Sequence, residues 1–191
     1  LIQRMLKHEN ASTSPARHPV RALVLLPTRE LADQVAQQVK AYAKYTQIRS
    51  AVVFGGMDMK PQTIELKAGV EILVATPGRL LDHIEAKNCV LNQVEYVVLD
   101  EADRMIDMNF EEDLKYILDS VPRAIDSMHT TKYPMHMTMF SATMPVAVER
   151  LAKTYLVKPA TIQIGQTGTV SDQIEQRIHL LRENEKTNLL A

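Results

Sequence analysis

The sequence predicts an α/β fold: a parallel sheet with helices on both faces. Two observations carry this. Short apolar runs, rich in Val, Leu and Ile, alternate with stretches whose apolar residues recur every three or four positions. Such runs read as strands buried on both sides, and such stretches as helices with one core face. In addition, four of the runs end in polar clusters and another breaks at Gly55-Gly56. In a parallel sheet those ends lie along one edge, where such folds bind ligands.

Taken in order, Leu1, Ile2, Met5 and Leu6 share a helical face, so residues 1 to about 8 read as the end of a helix. Asn10 to Pro19 is a polar loop with two prolines. Ala22 to Leu26 is a strand ended by Pro27, and Thr28 is placed to cap a helix with Leu31, Val35, Val39 and Tyr42 inward. Ser50 to Phe54 is the second strand, and a short helix after Pro61 carries Ile64 and Leu66. Glu71 to Ala75 is the third. Thr76 then caps a helix with Pro77 in its first turn and Leu80, Leu81 and Ile84 as apolar residues.

Tyr96 to Leu99 is the fourth strand and runs directly into Asp100-Glu101-Ala102-Asp103. Asn109 and Glu112 have capping-box spacing for a helix with Phe110, Leu114, Ile117 and Leu118 inward. After a polar connection over 122–136, Met137 to Phe140 is a strand ending at Ser141-Ala142-Thr143. Pro145 opens a helix bearing Val148, Leu151, Ala152 and Tyr155. Thr161 to Ile164 reads as a sixth strand, Gly165 to Gly168 as a turn and Ile174 to Leu181 as a last strand.

At 191 residues the chain is long enough for one large domain, and its 46% apolar and 24% charged content is that of a globular protein. A net charge of −1 gives no global attraction to nucleic acid, so any such binding must use a local patch. Cys89 is the one cysteine, which excludes a disulfide framework. No apolar run approaches the ~18 residues that cross a bilayer. The chain opens at Leu1 inside an amphipathic pattern and reads as a piece of a longer protein.

The strand ends carry the chemistry. Acids at the end of the fourth strand suit a divalent cation or proton removal from water, or simply complement a helix dipole. Pro27-Thr28-Arg29-Glu30 and Thr76-Pro77-Gly78-Arg79 share a design, a threonine at a helix start followed by an arginine. Free N–H groups, the helix dipole and a fixed cation can follow a row of phosphates, helped by the bare backbone of Gly55-Gly56. Ordinary capped helices with exposed arginines look the same one at a time.

Together the five clusters resemble the amino-terminal RecA-like domain of DEAD-box RNA helicases. Pro-Thr-Arg-Glu-Leu-Ala (27–32), Gly-Gly (55–56), Thr-Pro-Gly-Arg-Leu (76–80), Asp-Glu-Ala-Asp (100–103) and Ser-Ala-Thr (141–143) follow that family's order and spacing. The resemblance implies a RecA-like sheet of the P-loop NTPase type, incomplete at its amino-terminal end. It implies an ATP-dependent RNA helicase using ATP and Mg²⁺ to unwind duplexes locally or remodel RNA–protein complexes. Asp100 would hold Mg²⁺ through water, and Glu101 would orient or deprotonate the attacking water. Asp103 would couple to Ser141 and Thr143. Pro27, Thr28, Arg29, Gly55, Gly56, Thr76, Pro77, Gly78 and Arg79 would contact the RNA backbone without reading sequence.

The resemblance also shows what these residues lack. No G-x-x-x-x-G-K-[ST] phosphate loop occurs among the six glycines. That loop and the family's glutamine motif are expected upstream of Leu1, and the loop's strand would be a central member of the sheet. Residues 1–170 would be a partial ATP-binding domain, and 171–191 a linker and the start of a second RecA-like domain. The chain alone is therefore expected to be inactive. Residues 1 to about 108 look most like bacterial RhlE-type helicases, and the rest like the spliceosomal branch. That places the protein inside the cell: in the cytoplasm for the first, in the nucleus for the second. A non-catalytic RNA-clamping adaptor is opposed by the intact Asp100-Glu101 pair and Ser141-Ala142-Thr143. A Rossmann dinucleotide-binding protein is opposed by the lack of G-x-G-x-x-G.

Other candidates read as structural. His8, His18, His83, His129, His136 and His179 show no metal-ligand spacing, and Cys89 has no neighbour to activate it. The ten methionines read as gap-fillers, and Lys40, Lys44 and Arg49 as a solvated face. Asn109 stands where the family usually has glycine.

Overall fold

The computed structural model describes residues 1–7, 19–122 and 135–165, together with 174, 175, 177 and 180. Leu1–Thr161 forms one compact unit and Ile162–Ala191 a second. Among its described residues the first unit holds five parallel strands: β1 (Ala22–Leu25), β2 (Ser50–Val53), β3 (Ile72–Ala75), β4 (Tyr96–Leu99) and β5 (His136–Met139). Their order across the sheet is β2-β3-β1-β4-β5. Leu25 stands level with Ala75 and Leu99, Ala75 with Val53, and Leu99 with Met139. All five strands therefore stop at one line, and the five polar clusters emerge side by side.

Among the described residues this unit also has seven helices: α1 (Ile2–Lys7), α2 (Arg29–Ala43), α3 (Met59–Ala68), α4 (Pro77–Glu85), α5 (Ala102–Asp107), α6 (Glu111–Asp119) and α7 (Val146–Tyr155). Alternation along the strands sends Leu23, Leu25, Leu73, Val97 and Leu99 to one face. There they meet Leu66, Leu80, Met105, Leu114, Ile117, Val148 and Leu151 from α3 to α7. Ala22, Val24, Ile72 and Val74 face the other way, onto Met5 of α1 and Ala32 and Ala36 of α2. Two-sided burial is why these strands carry unbroken apolar runs.

The amino-terminal edge of the sheet is tied by buried ions. Arg21 Nε and Nη2 reach Glu95 Oε1 and Oε2, each at 3.2 Å, and Arg21 Nη1 meets the Met5 carbonyl at 3.5 Å. Glu71 accepts from the Arg49 backbone N–H at 2.7 Å and from its Nη2 at 3.3 Å. These pairs link strand starts that lie far apart in sequence, and nothing in the sequence pattern marks them.

Several expectations need correction. Tyr42 is 74% exposed, because the buried line of α2 runs through Ala32, Ala36 and Ala43 with Leu31, Val35 and Val39 at its flanks. Ile64 is exposed and Gln62 is turned inward instead. Leu1 and Leu6 are exposed beside the buried Met5. Thr76 makes no side-chain cap, and Asn109 does not cap α6: it adopts φ +62° two residues before that helix. That conformation is glycine's own, and asparagine is among the few side chains that tolerate it. The family's glycine thus has a physically apt substitute.

His136 begins β5 rather than lying in a loop, and its ring stacks 5.6 Å from that of Tyr96. His83 is fully buried. Arg49 also donates to the Ala68 carbonyl at 3.0 Å, so it is not a free surface cation. Residues 161–164 form no strand; Ile162 and Ile164 are 86% and 95% exposed, and a strand needs a ladder partner to exist. The loop at 10–18, most of the connection at 123–134 and most of the last expected strand at 174–181 lie outside the described residues.

Candidate functional site

Along the carboxyl edge the clusters fall in spatial order: Gly55-Gly56 after β2, Thr76 to Arg79 after β3, Pro27 to Arg29 after β1, Asp100 to Asp103 after β4 and Ser141 to Thr143 after β5. Four inter-strand steps at ~4.8 Å make a row about 19 Å long. Cationic and glycine clusters occupy the β2-β3-β1 side, and the acids and hydroxyls the β4-β5 side. A groove of about 410 Å³ lined by Lys40, Lys44, Arg49 and Glu65 opens elsewhere, at the amino end of β2.

On the cationic side, Thr28 caps α2 by accepting from the Leu31 N–H at 3.4 Å. Pro27 and Pro77 are buried and set the two helix entries. Arg29 is half exposed, with its guanidinium 5.9 Å from the Phe54 ring centre and Glu30 at 3.6 Å. Arg79 is more committed: Nη1 donates to the Met57 carbonyl at 2.9 Å and Nε to Asp82 at 3.2 Å. Gly56 has φ +79° and needs to be glycine for its backbone alone. Gly55 does not. Its φ is not positive, and a Cβ there would meet nothing within 4 Å. At Gly78 a Cβ would reach Asp113 at 3.6 Å and Phe110 at 3.9 Å, ordinary contacts.

The acidic side is built around Asp103. One oxygen, Oδ2, accepts from the Thr143 N–H at 2.9 Å and the Thr143 hydroxyl at 2.7 Å. Oδ1 accepts from the Arg104 N–H at 3.1 Å. The Asp103 N–H donates to Ser141 Oγ at 3.2 Å, and that hydroxyl donates to the Thr143 carbonyl at 2.7 Å. Partial burial raises the Asp103 pKa, but bonds from Thr143, Ser141 and Arg104 outweigh it and hold the carboxyl below its ordinary value. The expected Asp103-Ser141-Thr143 cluster is therefore assembled. The backbone reinforces it, with the Ala102 N–H on the Phe140 carbonyl at 3.0 Å and the Phe140 N–H on that of Leu99 at 2.8 Å.

Residues 2–151 match the DEAD/DEAH box helicase family. The chain belongs to that family. It is 42% identical over 185 residues to the protein named Probable ATP-dependent RNA helicase DDX23 of Homo sapiens, covering 88% of this chain and 23% of that one. It is 44% identical over 176 residues to Pre-mRNA-splicing ATP-dependent RNA helicase PRP28 of Cryptococcus neoformans, with 86% and 24% covered. The crystal structure of the yeast DEAD-box splicing factor Prp28 superposes with a TM-score of 0.67 at 34% identity, covering 81% of this chain and 37% of that one. The chain spans about a quarter of the length of these curated relatives. These matches span both halves of the chain and add nothing to the bacterial likeness of residues 1–108.

In this DEAD-box domain Asp100 and Glu101 mark a sharp turn. The Asp100 N–H continues the ladder to the Leu25 carbonyl at 3.0 Å, and its Oδ1 accepts from the Glu101 N–H at 3.0 Å. Glu101 sits at φ 53°, a left-handed conformation costly for a side chain of its kind, and its carboxylate meets Arg104 Nη1 at 2.7 Å. That strain lies at the acidic strand end, where strained residues often serve function. Asp100, half-buried beside Glu101, suits a hydrated Mg²⁺, which keeps its waters and takes one or two carboxylates alongside substrate phosphates.

Sequence reasoning missed Gln62, His83 and Arg104. Arg104 carries a usable signal, three residues after Glu101 on one helical face. Gln62 and His83 carry none, because their bonds join positions 21 apart.

Proposed function

We propose that the chain is part of an ATP-dependent RNA helicase of the splicing branch, working in the nucleus, that couples ATP hydrolysis to RNA unwinding or RNA–protein remodelling. The observation that carries this is the Asp103-Ser141-Thr143 cluster. It ties the acidic end of β4 to the next strand by three hydrogen bonds, so a displacement at one reaches the other. Asp100 would hold Mg²⁺ through its water shell, and that ion would neutralise charge on the terminal phosphates of ATP. Glu101 would orient the attacking water, which requires its carboxylate to leave Arg104.

RNA would lie over Thr28, Arg29, Gly55, Gly56, Thr76, Gly78 and Arg79, with Pro27 and Pro77 shaping the two helix starts. Neither packing nor backbone conformation demands glycine at 55, so its bareness is explained by close approach of a ligand backbone. We assign residues 1–170 to the first RecA-like domain and 171–191 to the passage toward a second. The phosphate loop and the second domain would come from adjoining sequence, so ATP hydrolysis by the 191-residue chain should be negligible with or without RNA. Rapid RNA-stimulated phosphate release from it would overturn that part.

The RNA row is tested by Gly55→Ala. The variant should match or slightly exceed the wild type in stability, since alanine restricts the unfolded chain. Its affinity for single-stranded RNA should fall severalfold, read by fluorescence anisotropy. Unchanged affinity would sink the placement of RNA on this loop.

A further inference from the structure

We propose that Gln62 and His83 position the Gly55-Gly56 loop for its ligand, an inference that rests on the RNA-binding reading of that loop. Little within the loop fixes its shape: a Cβ at Gly55 would meet nothing within 4 Å, and Gly56 takes a conformation that favours glycine. Its anchors lie at its two ends. The Phe54 carbonyl, just before the glycines, accepts from Gln62 Nε2 at 3.1 Å. The Met57 carbonyl, just after them, accepts from Arg79 Nη1 at 2.9 Å. Gln62 comes from α3 and Arg79 from α4, the helix that follows the Thr76 cluster. The loop is thus clamped to the neighbouring segment of the same row.

The first anchor is held from behind. Because Gln62 spends its amide N–H on Phe54, its Oε1 faces His83 Nε2 at 3.3 Å and can only accept. His83 therefore carries its proton on Nε2, leaving Nδ1 to accept from Asn88 Nδ2 at 3.4 Å. Asn88 in turn reaches Thr63 Oγ1 at 3.3 Å. Burial, assisted by the Arg79 charge and opposed by Asp82, lowers the His83 pKa and keeps the ring neutral, as this chain of bonds requires. Gln62 is 9% exposed and His83 fully buried. Leucine at either place would avoid burying polar atoms, so the polar pair has its rationale in the carbonyl it reaches.

The test is Gln62→Glu in the full chain. The carboxylate can still accept from His83 but presents an oxygen to the Phe54 carbonyl. Backbone order parameters at Gly55, Gly56 and Met57 should fall below about 0.6, with β3 and α2 unchanged. Affinity for single-stranded oligouridine should fall at least fivefold, with an unaltered salt slope because no cation is lost. Wild-type order parameters at those three residues in Q62E would overturn the positioning role, whatever RNA does. Should Q62E not fold, His83→Gln against His83→Leu asks the same question. The glutamine can donate to Gln62 and should keep the loop ordered; the leucine cannot and should not, and equal order parameters in both would overturn the role. Arg29→Ala serves as the control for the underlying reading. It should lower both affinity and salt slope, and a wild type that binds no RNA, or binding indifferent to this change, overturns the reading on which the inference rests.

Discussion

The Asp103 cluster allows a quantitative test of the coupling between the ends of β4 and β5. Thr143→Val deletes the hydroxyl that donates to Asp103 Oδ2 at 2.7 Å and leaves the backbone N–H at 2.9 Å in place. A double-mutant cycle with Asp103→Ala therefore isolates one charge-assisted bond. Such bonds contribute about 1.5–3 kcal/mol when shielded. This one is partly open to water, which lowers the expected coupling to about 1 kcal/mol. Asp103→Ala alone loses three accepted bonds and should cost about 2 kcal/mol by urea denaturation.

The same cycle has a definite pH dependence. The folded-state pKa of Asp103 lies below its ordinary value, so its contribution is complete above the unfolded pKa. The difference between wild type and D103A should be flat from pH 7 to about 5. It should shrink below about pH 4, as the carboxyl is protonated through its lowered pKa. A coupling under about 0.3 kcal/mol at pH 7, or a difference that grows on acidification, would refute the reasoning.

Two further outcomes follow from the fold. Glu95→Ala removes the carboxylate paired with the buried Arg21 guanidinium and should cost up to about 3 kcal/mol in chemical denaturation, more than loss of an exposed pair such as Lys153–Glu149. Asn109→Gly should be neutral or stabilising by up to about 1 kcal/mol, while Asn109→Val, forced to φ +62°, should lose about 1–2 kcal/mol; matched melting temperatures for the two would remove the left-handed explanation.

How much of this was legible in the sequence depends on the range of the interaction. The strands at 22–25, 72–75 and 96–99 were legible because burial on both faces leaves a local, unbroken apolar run. The helix facing of α2 was misjudged at Tyr42, because the close approach to the sheet is made by Ala32 and Ala36, whose smallness reads as neutral. The five clusters at strand ends were legible as a family pattern, and Asp103 with Ser141 and Thr143 came together as that pattern implies. The bonds that brace the clusters were not. Arg21–Glu95 and Gln62–His83 join residues 74 and 21 positions apart, and periodicity cannot mark a polar partner across such a distance. α5, at six residues, is shorter than two helical turns and offers no period to find.

The row of clusters stops at β5, and β5 is the least protected strand. Among the described residues it pairs with β4 alone, its even-numbered residues His136 and Thr138 are exposed, and Met137 and Met139 are only partly covered. β2 also pairs on one side only, but α2 and α3 pack against it and Ala51 and Val53 are fully buried. An open, poorly covered edge is a template for another strand. On the proposed reading the family's phosphate loop would bring one, and that loop would grip a nucleotide beside the acidic end of β4. Amides of β5 should therefore exchange orders of magnitude faster than those of β1, and the 191-residue chain should self-associate as its concentration rises. Fusing a phosphate-loop strand of this family ahead of Leu1 should suppress both. A chain that stays monomeric and melts sharply, with β5 as protected as β1, would mean that the sheet is complete as it stands.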